Sequence, residues 1–297
     1  MKPPPFDYHA PRSVGEALEI LAEAGQEGKV LAGGQSLIPM LNMRLTHPRH
    51  VVDVNGLTEL ATVEAGPDGV LVGALARHAR VERSEQVAAA QPLLRRALGL
   101  VAHPVIRNRG TVVGSLVHAD PAAELPAVLV LLGGSVRLAR PGTTRDVAAG
   151  AFFTGPLESA LRPGELAVSA LFPALGPRSG TAFHEVARRH GDYAISGAAA
   201  LVVLDEDLRV VTARVACVSA GPVPVVVDVT GVCGGDRGES ADWRGAAAAV
   251  RDGTEPEGDI HASADYRRHL LGVLAERALT EAAQKAAQEA AGKGGGR

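Results

Sequence analysis

Cysteine is scarce in this chain: Cys217 and Cys233 are the only two in 297 residues. Two thiols give neither a disulfide framework nor a four-ligand metal site, so the chain cannot by itself hold a conventional iron–sulfur cluster. Aromatic residues make up only 3%, and the formal charge of -3 comes from intermixed signs. That leaves few rings to stack on bases and no basic face, which excludes a nucleic-acid surface. The longest apolar stretch, 125–134, is interrupted by Pro126 and is too short to span a bilayer. The opening Met1-Lys2-Pro3-Pro4-Pro5 leads into Phe6, Asp7 and Tyr8 rather than an apolar segment, so a secretory leader is not expected and cytoplasmic residence is. Nucleophile elbows of the Gly-x-Ser-x-Gly kind and His-Glu-x-x-His zinc motifs are absent, and neither cysteine has a persuasive histidine partner. Side-chain nucleophiles and metals are therefore poor candidates, and a bound organic cofactor is the better one.

The composition that remains is that of an ordinary folded protein, 46% apolar and 21% charged, long enough for two or three domains. Residues 13–24 read as a helix, with Ser13 at the cap, Glu16 placed for a capping box, and Val14, Ala17, Leu18 and Leu21 on one stripe. A short strand over 29–31 runs into glycines, a helix over 37–45 follows with Ser36 as N-cap, and 51–54 returns as a strand. A second α+β unit is expected over about 57–176, with strands at 69–75 and 135–139 and helices at 92–99 and 122–132. The Pro/Gly/Ser-rich stretch 176–180 is the candidate domain boundary. Beyond it, runs at 198–204, 208–218 and 223–229 predict an antiparallel sheet, with a hairpin turn at Asp205-Glu206-Asp207. Helices at 243–250 and from 263 to about 287 close the unit, and 289–297 reads as a frayed tail.

Two glycine-rich segments carry the functional signal. The first is Ala32-Gly33-Gly34-Gln35-Ser36-Leu37-Ile38-Pro39, at a strand–helix junction. Its glycines permit positive φ, so the N–H groups of Gly34, Gln35, Ser36 and Leu37 can line up beside an anion. It is neither a Walker loop nor a Gly-x-Gly-x-x-Gly fingerprint, and a tight turn capped by Ser36 explains it equally well on its own. The second is Gly110-Thr111-Val112-Val113-Gly114-Ser115-Leu116-Val117-His118-Ala119-Asp120-Pro121. Thr111 and Ser115 can donate to phosphate or ribitol oxygens. Asp120 suits ligand hydroxyls, a backbone turn or a helix opening, and His118 a ring-side hydrogen bond or a structural role. Two such loops together point to one phosphate-rich cofactor held from both sides, most naturally a dinucleotide. Arg107 and Arg109 can neutralise phosphate or pair with a carboxylate. In Arg188-Arg189-His190-Gly191-Asp192-Tyr193, a charged surface loop competes with a reading in which Asp192 fixes the turn through backbone N–H groups and Tyr193 lies beside a cofactor.

These segments resemble the molybdenum hydroxylase flavoproteins, the family that includes the medium FAD subunit of aerobic carbon monoxide dehydrogenases and the FAD domain of xanthine dehydrogenases. Residues 32–39 resemble the first FAD pyrophosphate loop and 111–122 the second. Lys2 to Tyr8, Gly191-Asp192-Tyr193-Ala194 and Ser263-Ala264-Asp265-Tyr266-Arg267-Arg268 resemble flanking segments, so the likeness covers almost the whole chain. It implies an α+β fold: a PCMH-type FAD-binding domain over 1–176, with subdomains of about 1–56 and 57–176, then a C-terminal flavoprotein domain over 177–288. It implies that Ala32, Gly33, Gly34, Gln35, Ser36 and Leu37 hold the FAD diphosphate from one side and Thr111, Gly114 and Ser115 from the other. Asp120 would fix the ribityl or ribose region, with His118, Asp192 and Tyr193 near the flavin. Gln35 stands where His or Thr is frequent, and Ser115 where Asn is. The implied role is electron transfer: a large molybdenum-cofactor subunit oxidises substrate, a small subunit with two [2Fe–2S] clusters relays electrons, and the flavin passes them to an external acceptor. The implied assembly is a dimer of heterotrimers, cytoplasmic, with peripheral membrane association open. A stand-alone FAD-dependent oxidase and a non-catalytic nucleotide-binding assembly module are the competing readings.

Overall fold

The computed structural model describes residues 2–294. Three strands, β1 (Asp7–His9), β2 (Gly28–Leu31) and β3 (His50–Asp53), form a parallel sheet in the order β1-β3-β2. Parallel neighbours need crossovers, supplied by α1 (Val14–Ala24) and α2 (Leu37–Asn42). The expected cap of α1 is present: Ser13 Oγ accepts from the Glu16 N–H at 3.1 Å, while the Glu16 carboxylate reaches back to the Arg12 N–H at 2.6 Å. α2 ends three residues earlier than expected, because Arg44 adopts φ +59°.

The second subdomain contains β4 (Val63–Gly66), β5 (Gly69–Gly73), α3 (His78–Glu82), α4 (Glu85–Ala90) and α5 (Pro92–Leu98). It continues with α6 (Pro104–Arg107), α7 (Val112–His118), α8 (Glu124–Leu132), β6 (Ser135–Arg140) and β7 (Thr143–Ala148). It closes with α9 (Ala149–Phe152), β8 (Phe153–Gly155), β9 (Glu158–Ser159) and β10 (Leu166–Pro173). Five of its strands form an antiparallel sheet ordered β4-β5-β10-β6-β7, and α7 and α8 lie against β10. Leu125, Val128, Leu129 and Leu131 of α8 are fully buried, which explains why its sequence is apolar all round.

The C-terminal domain is a four-stranded antiparallel meander, β11 (Ser179–Ala187), β12 (Ala194–Leu204), β13 (Val210–Val218) and β14 (Val225–Asp228). It is completed by α10 (Thr230–Cys233), α11 (Trp243–Asp252) and the 31-residue α12 (Ala264–Gly294). The sheet is covered on both faces. Phe183, Ala199, Leu201, Ala216 and Val218 join the core of the N-terminal domain, while Ala182, Ala198, Ala200, Val202 and Cys217 pack against α11 and α12. Period-two alternation thus sorts one strand's side chains between two cores.

β11 occupies part of the stretch expected to be a domain boundary. α12 continues beyond the expected end, through Gly294, so 289–294 are helical; 295–297 of the expected tail lie outside the described residues. Both cysteines are buried thiols, Cys217 pushed up to about 12 by burial and Cys233 to about 11 by burial and then by Asp236. Among the described residues no helix is long and apolar enough to cross a membrane.

Candidate functional site

The two glycine loops meet. A Cβ on Gly33 would lie 2.5 Å from the Arg109 carbonyl oxygen and 2.8 Å from Gly110 Cα, so the first loop presses on the entrance to the second. Gly34 adopts φ +72°, and the Gly33 carbonyl accepts from Gln35 Nε2 at 2.9 Å. Ser36 has helical backbone angles and its hydroxyl caps nothing, which corrects the expected N-cap. The reason is local: the chain turns into α2 through Gly34, whose carbonyl already accepts the Ile38 N–H at 3.1 Å. Among the described residues, no protein acceptor takes the N–H groups of Gly34, Gln35, Ser36 or Leu37. Four successive unpartnered donors beside a positive-φ glycine are what an anion-binding concavity requires.

Thr111 caps α7. Its Oγ1 accepts the Gly114 N–H at 3.2 Å, and a side chain on Gly114 would collide with that oxygen. Beneath this loop, His78 is 5% exposed, its ring against Gly110 and beside the Thr111 backbone, whose pull opposes the effect of burial. Burial, helped by the charge of Arg107, lowers its pKa to about 4 and keeps it neutral.

A side-chain relay that the sequence did not reveal ties the loops together. Asn55 Nδ2 donates to the Ala32 carbonyl at 2.8 Å and to Asp53 at 2.6 Å, and Asn55 Oδ1 accepts from Arg77 Nη2 at 2.6 Å. The other arm of Arg77 donates to the Arg109 carbonyl. Nothing in the local sequence marks Asn55 or Arg77 for this role. Arg107 is not an anion ligand: it is buried, pairs with Glu82 at 2.8 Å and donates to the Val101 and Ala102 carbonyls, both at 2.9 Å. Arg109 is exposed and has no ion-pair partner among the described residues.

A cavity of about 690 Å³ opens at the seam between the domains, lined among others by Asp120, Pro156, Asp192, Tyr193 and Asp259. The expected site residues therefore fall into two groups. Residues 32–37 and 111–115 form the loop pair, and Asp120, Asp192 and Tyr193 line the cavity. His118, half-buried at the end of α7, is not among the lining residues; burial lowers its pKa against the opposing pull of Asp120.

Asp120 Oδ1 accepts the Ala122 N–H at 2.8 Å in an Asx turn, and α8 begins only at Glu124, so Asp120-Pro121 is not the helix opening. Asp192 faces Arg188 at 3.5 Å and does not accept the backbone hydrogen bonds expected of it; the turn is instead set by Gly191, at φ +86° with its Cα against the His103 ring. Tyr193 is 63% exposed, and desolvation followed by the Asp120 and Glu124 carboxylates raises its phenol. The Ser219 N–H donates to the Pro121 carbonyl at 2.9 Å, joining the domains beside the cavity. Arg267, paired with Asp259 at 2.6 Å, anchors the far wall, where hydrogen bonds, the His261 N–H foremost, hold Asp259 down to about 2.

Comparison with known proteins identifies the family of the chain. Residues 4–175 match the FAD binding domain in molybdopterin dehydrogenase, and 181–282 match the CO dehydrogenase flavoprotein C-terminal domain. The chain is 40% identical over 287 residues to the 6-hydroxypseudooxynicotine dehydrogenase complex subunit alpha of Paenarthrobacter nicotinovorans, covering 96% of this chain and 97% of that one. It superposes on quinoline 2-oxidoreductase from Pseudomonas putida 86 with a TM-score of 0.89 and 35% identity, over 96% of this chain and 99% of the other. A carbon monoxide dehydrogenase from Hydrogenophaga pseudoflava gives a TM-score of 0.89 and 33% identity, with coverage of 96% and 99%. The chain belongs to the FAD-binding medium-subunit family of molybdenum hydroxylases. It is the flavin-dependent oxidoreductase subunit of such a complex, and its N-terminal domain has the architecture of an FAD site.

Proposed function

We propose that this chain binds one FAD non-covalently and in extended form, with the diphosphate between the two loops and the flavin ring in the seam cavity. The observation that carries this reading is the row of four unpartnered N–H groups at Gly34–Leu37 beside the start of α7. Anion and ring sites are separated by α7, whose seven residues at about 1.5 Å each span about 10 Å. An extended dinucleotide bridges such a gap, and a lone phosphate does not.

Ala32 to Leu37 bind through backbone donors, and Gly33 lets the second loop approach. Gln35 braces its own loop. Thr111, Gly114 and Ser115 close the diphosphate from the other side. Asp120 accepts from a ligand hydroxyl, because a carboxylate repels phosphate. His118 sits between the two sites as a half-buried neutral ring. Asp192 and Tyr193 border the flavin ring, with the Tyr193 phenol limiting access to one face.

Bound FAD supplies the exchange between one-electron and two-electron carriers. The protein's part is to position the ring, exclude water from one side and gate the acceptor. The partners are a large molybdenum-cofactor subunit and a small subunit with two [2Fe–2S] clusters, in a dimer of heterotrimers. The relatives' names support this division of labour: one kind of flavoprotein serves complexes named for an oxynicotine, quinoline and carbon monoxide. Shielding by Tyr193 favours a quinone or another compact carrier over a nicotinamide as final acceptor.

The test is anaerobic mixing of the FAD-loaded chain with each candidate substrate, alone and then with both partner subunits. Flavin bleaching is expected only in the complete mixture. Substrate turnover by the isolated chain would support a stand-alone oxidase instead.

A further inference from the structure

The contact of Gly33 with Arg109 and Gly110 sets how closely the two glycine loops can approach, and a second set of contacts sets how far they can part. Arg77, the residue before α3, is pinned to the second loop by its own backbone. It pairs with Thr111 in an isolated antiparallel bridge, the His78 N–H donates to the Gly110 carbonyl at 2.9 Å, and the Val112 N–H donates to the Ala76 carbonyl at 3.2 Å. From that fixed base the guanidinium spreads two ways. One arm donates to the Arg109 carbonyl and the other to Asn55 Oδ1 at 2.6 Å. Asn55 Nδ2 in turn donates at 2.8 Å to the carbonyl of Ala32, immediately before Gly33. A planar fork holds two acceptors at once, which the point charge of an ammonium does not reproduce.

Asn55 has one orientation open to it. The oxygens of Asp53 and Ala32 require its amide N–H groups, and Arg77 requires its amide oxygen. The carboxylate that orients the amide is held at both ends. Asp53 Oδ1 accepts the Asn55 backbone N–H at 2.9 Å and Nδ2 at 2.6 Å, and Oδ2 accepts the Tyr8 hydroxyl of β1 at 2.6 Å. Against burial, hydrogen bonds from Tyr8 and Asn55 hold the Asp53 carboxyl below its usual range, so it remains an acceptor. The chain Tyr8–Asp53–Asn55–Arg77 therefore runs from the parallel sheet of the first subdomain to the second loop. None of these residues belongs to the row of donors at 34–37, and the flavin reading does not use them.

We propose that Arg77, acting through Asn55, is a positioning residue for the cofactor: it fixes the width of the gap between the two glycine loops before the diphosphate arrives. The identity of the ligand rests on the flavin reading; the tie itself does not. A gap stopped on one side by the Gly33 contact and held on the other by the Arg77–Asn55 tie is preorganised. Phosphate oxygens then meet donors already in place, and binding does not have to order two loops. Arg77 acts through the loops and not as a counter-charge, because both arms of its fork are occupied by protein acceptors. Binding therefore needs its geometry, and its charge alone does not suffice.

The first measurement needs no ligand. Spin labels on Ile38→Cys and Asn108→Cys, exposed positions flanking the two loops in a chain whose own thiols are buried, report the loop separation. A single narrow distance distribution is expected with Arg77 and Asn55 intact, and a broader one after Arg77→Met, Arg77→Lys or Asn55→Ala; unchanged distributions overturn the tie. The second measurement is titration of the unlabelled full chain with FAD and with ADP, which carries the diphosphate without the ring. Affinity for both is expected to fall by about tenfold or more in Arg77→Met. Arg77→Lys is expected not to restore it, and Asn55→Ala combined with Arg77→Met to bind no worse than Arg77→Met alone, since both cut one tie. Wild-type affinity in Arg77→Lys would make Arg77 a counter-charge and overturn the positioning role, as would broadened distributions with unchanged affinity. Additive losses in the double variant would overturn the single relay. Should Arg77→Met fail to fold, Asn55→Ala decides. Failure of wild type to bind either ligand would count against the flavin reading alone, since the spin labels still decide the tie.

Discussion

At the scale of single residues, Gly33 has no room for a side chain. The Arg109 carbonyl oxygen would lie 2.5 Å from its Cβ, so Gly33→Ala must part the two loops. FAD affinity is expected to fall in a titration, and the melting temperature with it, because Gly33 presses on a second loop whose Gly110 and Thr111 are buried. Gly34→Asp combines φ +72°, strained for a side chain, with a carboxylate facing phosphate, and it should abolish binding. Wild-type affinity in Gly34→Asp would mean that the diphosphate lies elsewhere. Titrating groups make a separate prediction. His78 is held neutral down to about 4, so as pH falls below the ordinary histidine range the unfolded chain binds the proton first and stability drops. Glu124 and Glu185 are raised, so stability falls as pH rises from the ordinary carboxylate range to about 7 to 8 and levels off above it. The two effects oppose one another between the carboxylate and histidine ranges, so in denaturation at a series of pH values His78→Gln should steepen the loss of stability with rising pH there and change nothing above the histidine range. The glycines were legible in sequence because loop chemistry is local. Asn55 and Arg77 were not, since their meaning comes from carbonyls at Ala32 and Arg109 that only the fold brings near.

At the scale of elements, caps and close approaches set the geometry. Thr111→Val removes the acceptor for the Gly114 N–H at the start of α7, and loss of an N-cap costs about 1 kcal/mol. Because α7 connects the loop pair to the cavity, a several-fold loss of FAD affinity should accompany the loss seen in chemical denaturation. Gly180 carries β11 past α12, where a Cβ would lie 1.9 Å from the Ala282 carbonyl oxygen. Gly180→Val should therefore loosen α12 and lower the melting temperature more than any loop variant, and an unchanged melting curve would contradict the packing described here. The long elements α1, α8 and α11 were readable because an apolar stripe or run and a terminal signal coincide in each. α3, α4 and α6 are too short for periodicity to register. β11 was hidden because its start is rich in Gly and Ser, and the helix that buries it lies at the other end of the chain.

At the scale of the whole molecule, the proposed ring site lies in the seam between the domains. One face of the C-terminal sheet shares a core with the N-terminal domain, and the cavity opens where Pro121 and Ser219 join them. A cofactor bound there touches both domains and should raise the melting temperature of the full chain in proportion to the logarithm of its concentration. The sequence singled out the two glycine loops, and the fold brings Gly33 of the first against Arg109 and Gly110 at the second. For Asp192 and Tyr193 the sequence left a ligand-side loop and a charged surface loop both open, because Asp120 and Tyr193 come near each other only through tertiary packing across the seam.

The measurement that tests the central claim most directly is identification of the flavin in the purified chain after reconstitution. Acid precipitation should release one equivalent of FAD into the supernatant, identified by chromatography and lost together with binding in Gly34→Asp. Release of FMN, retention of flavin on the precipitated protein, or no flavin at all would contradict a dinucleotide held non-covalently between the two loops and the seam.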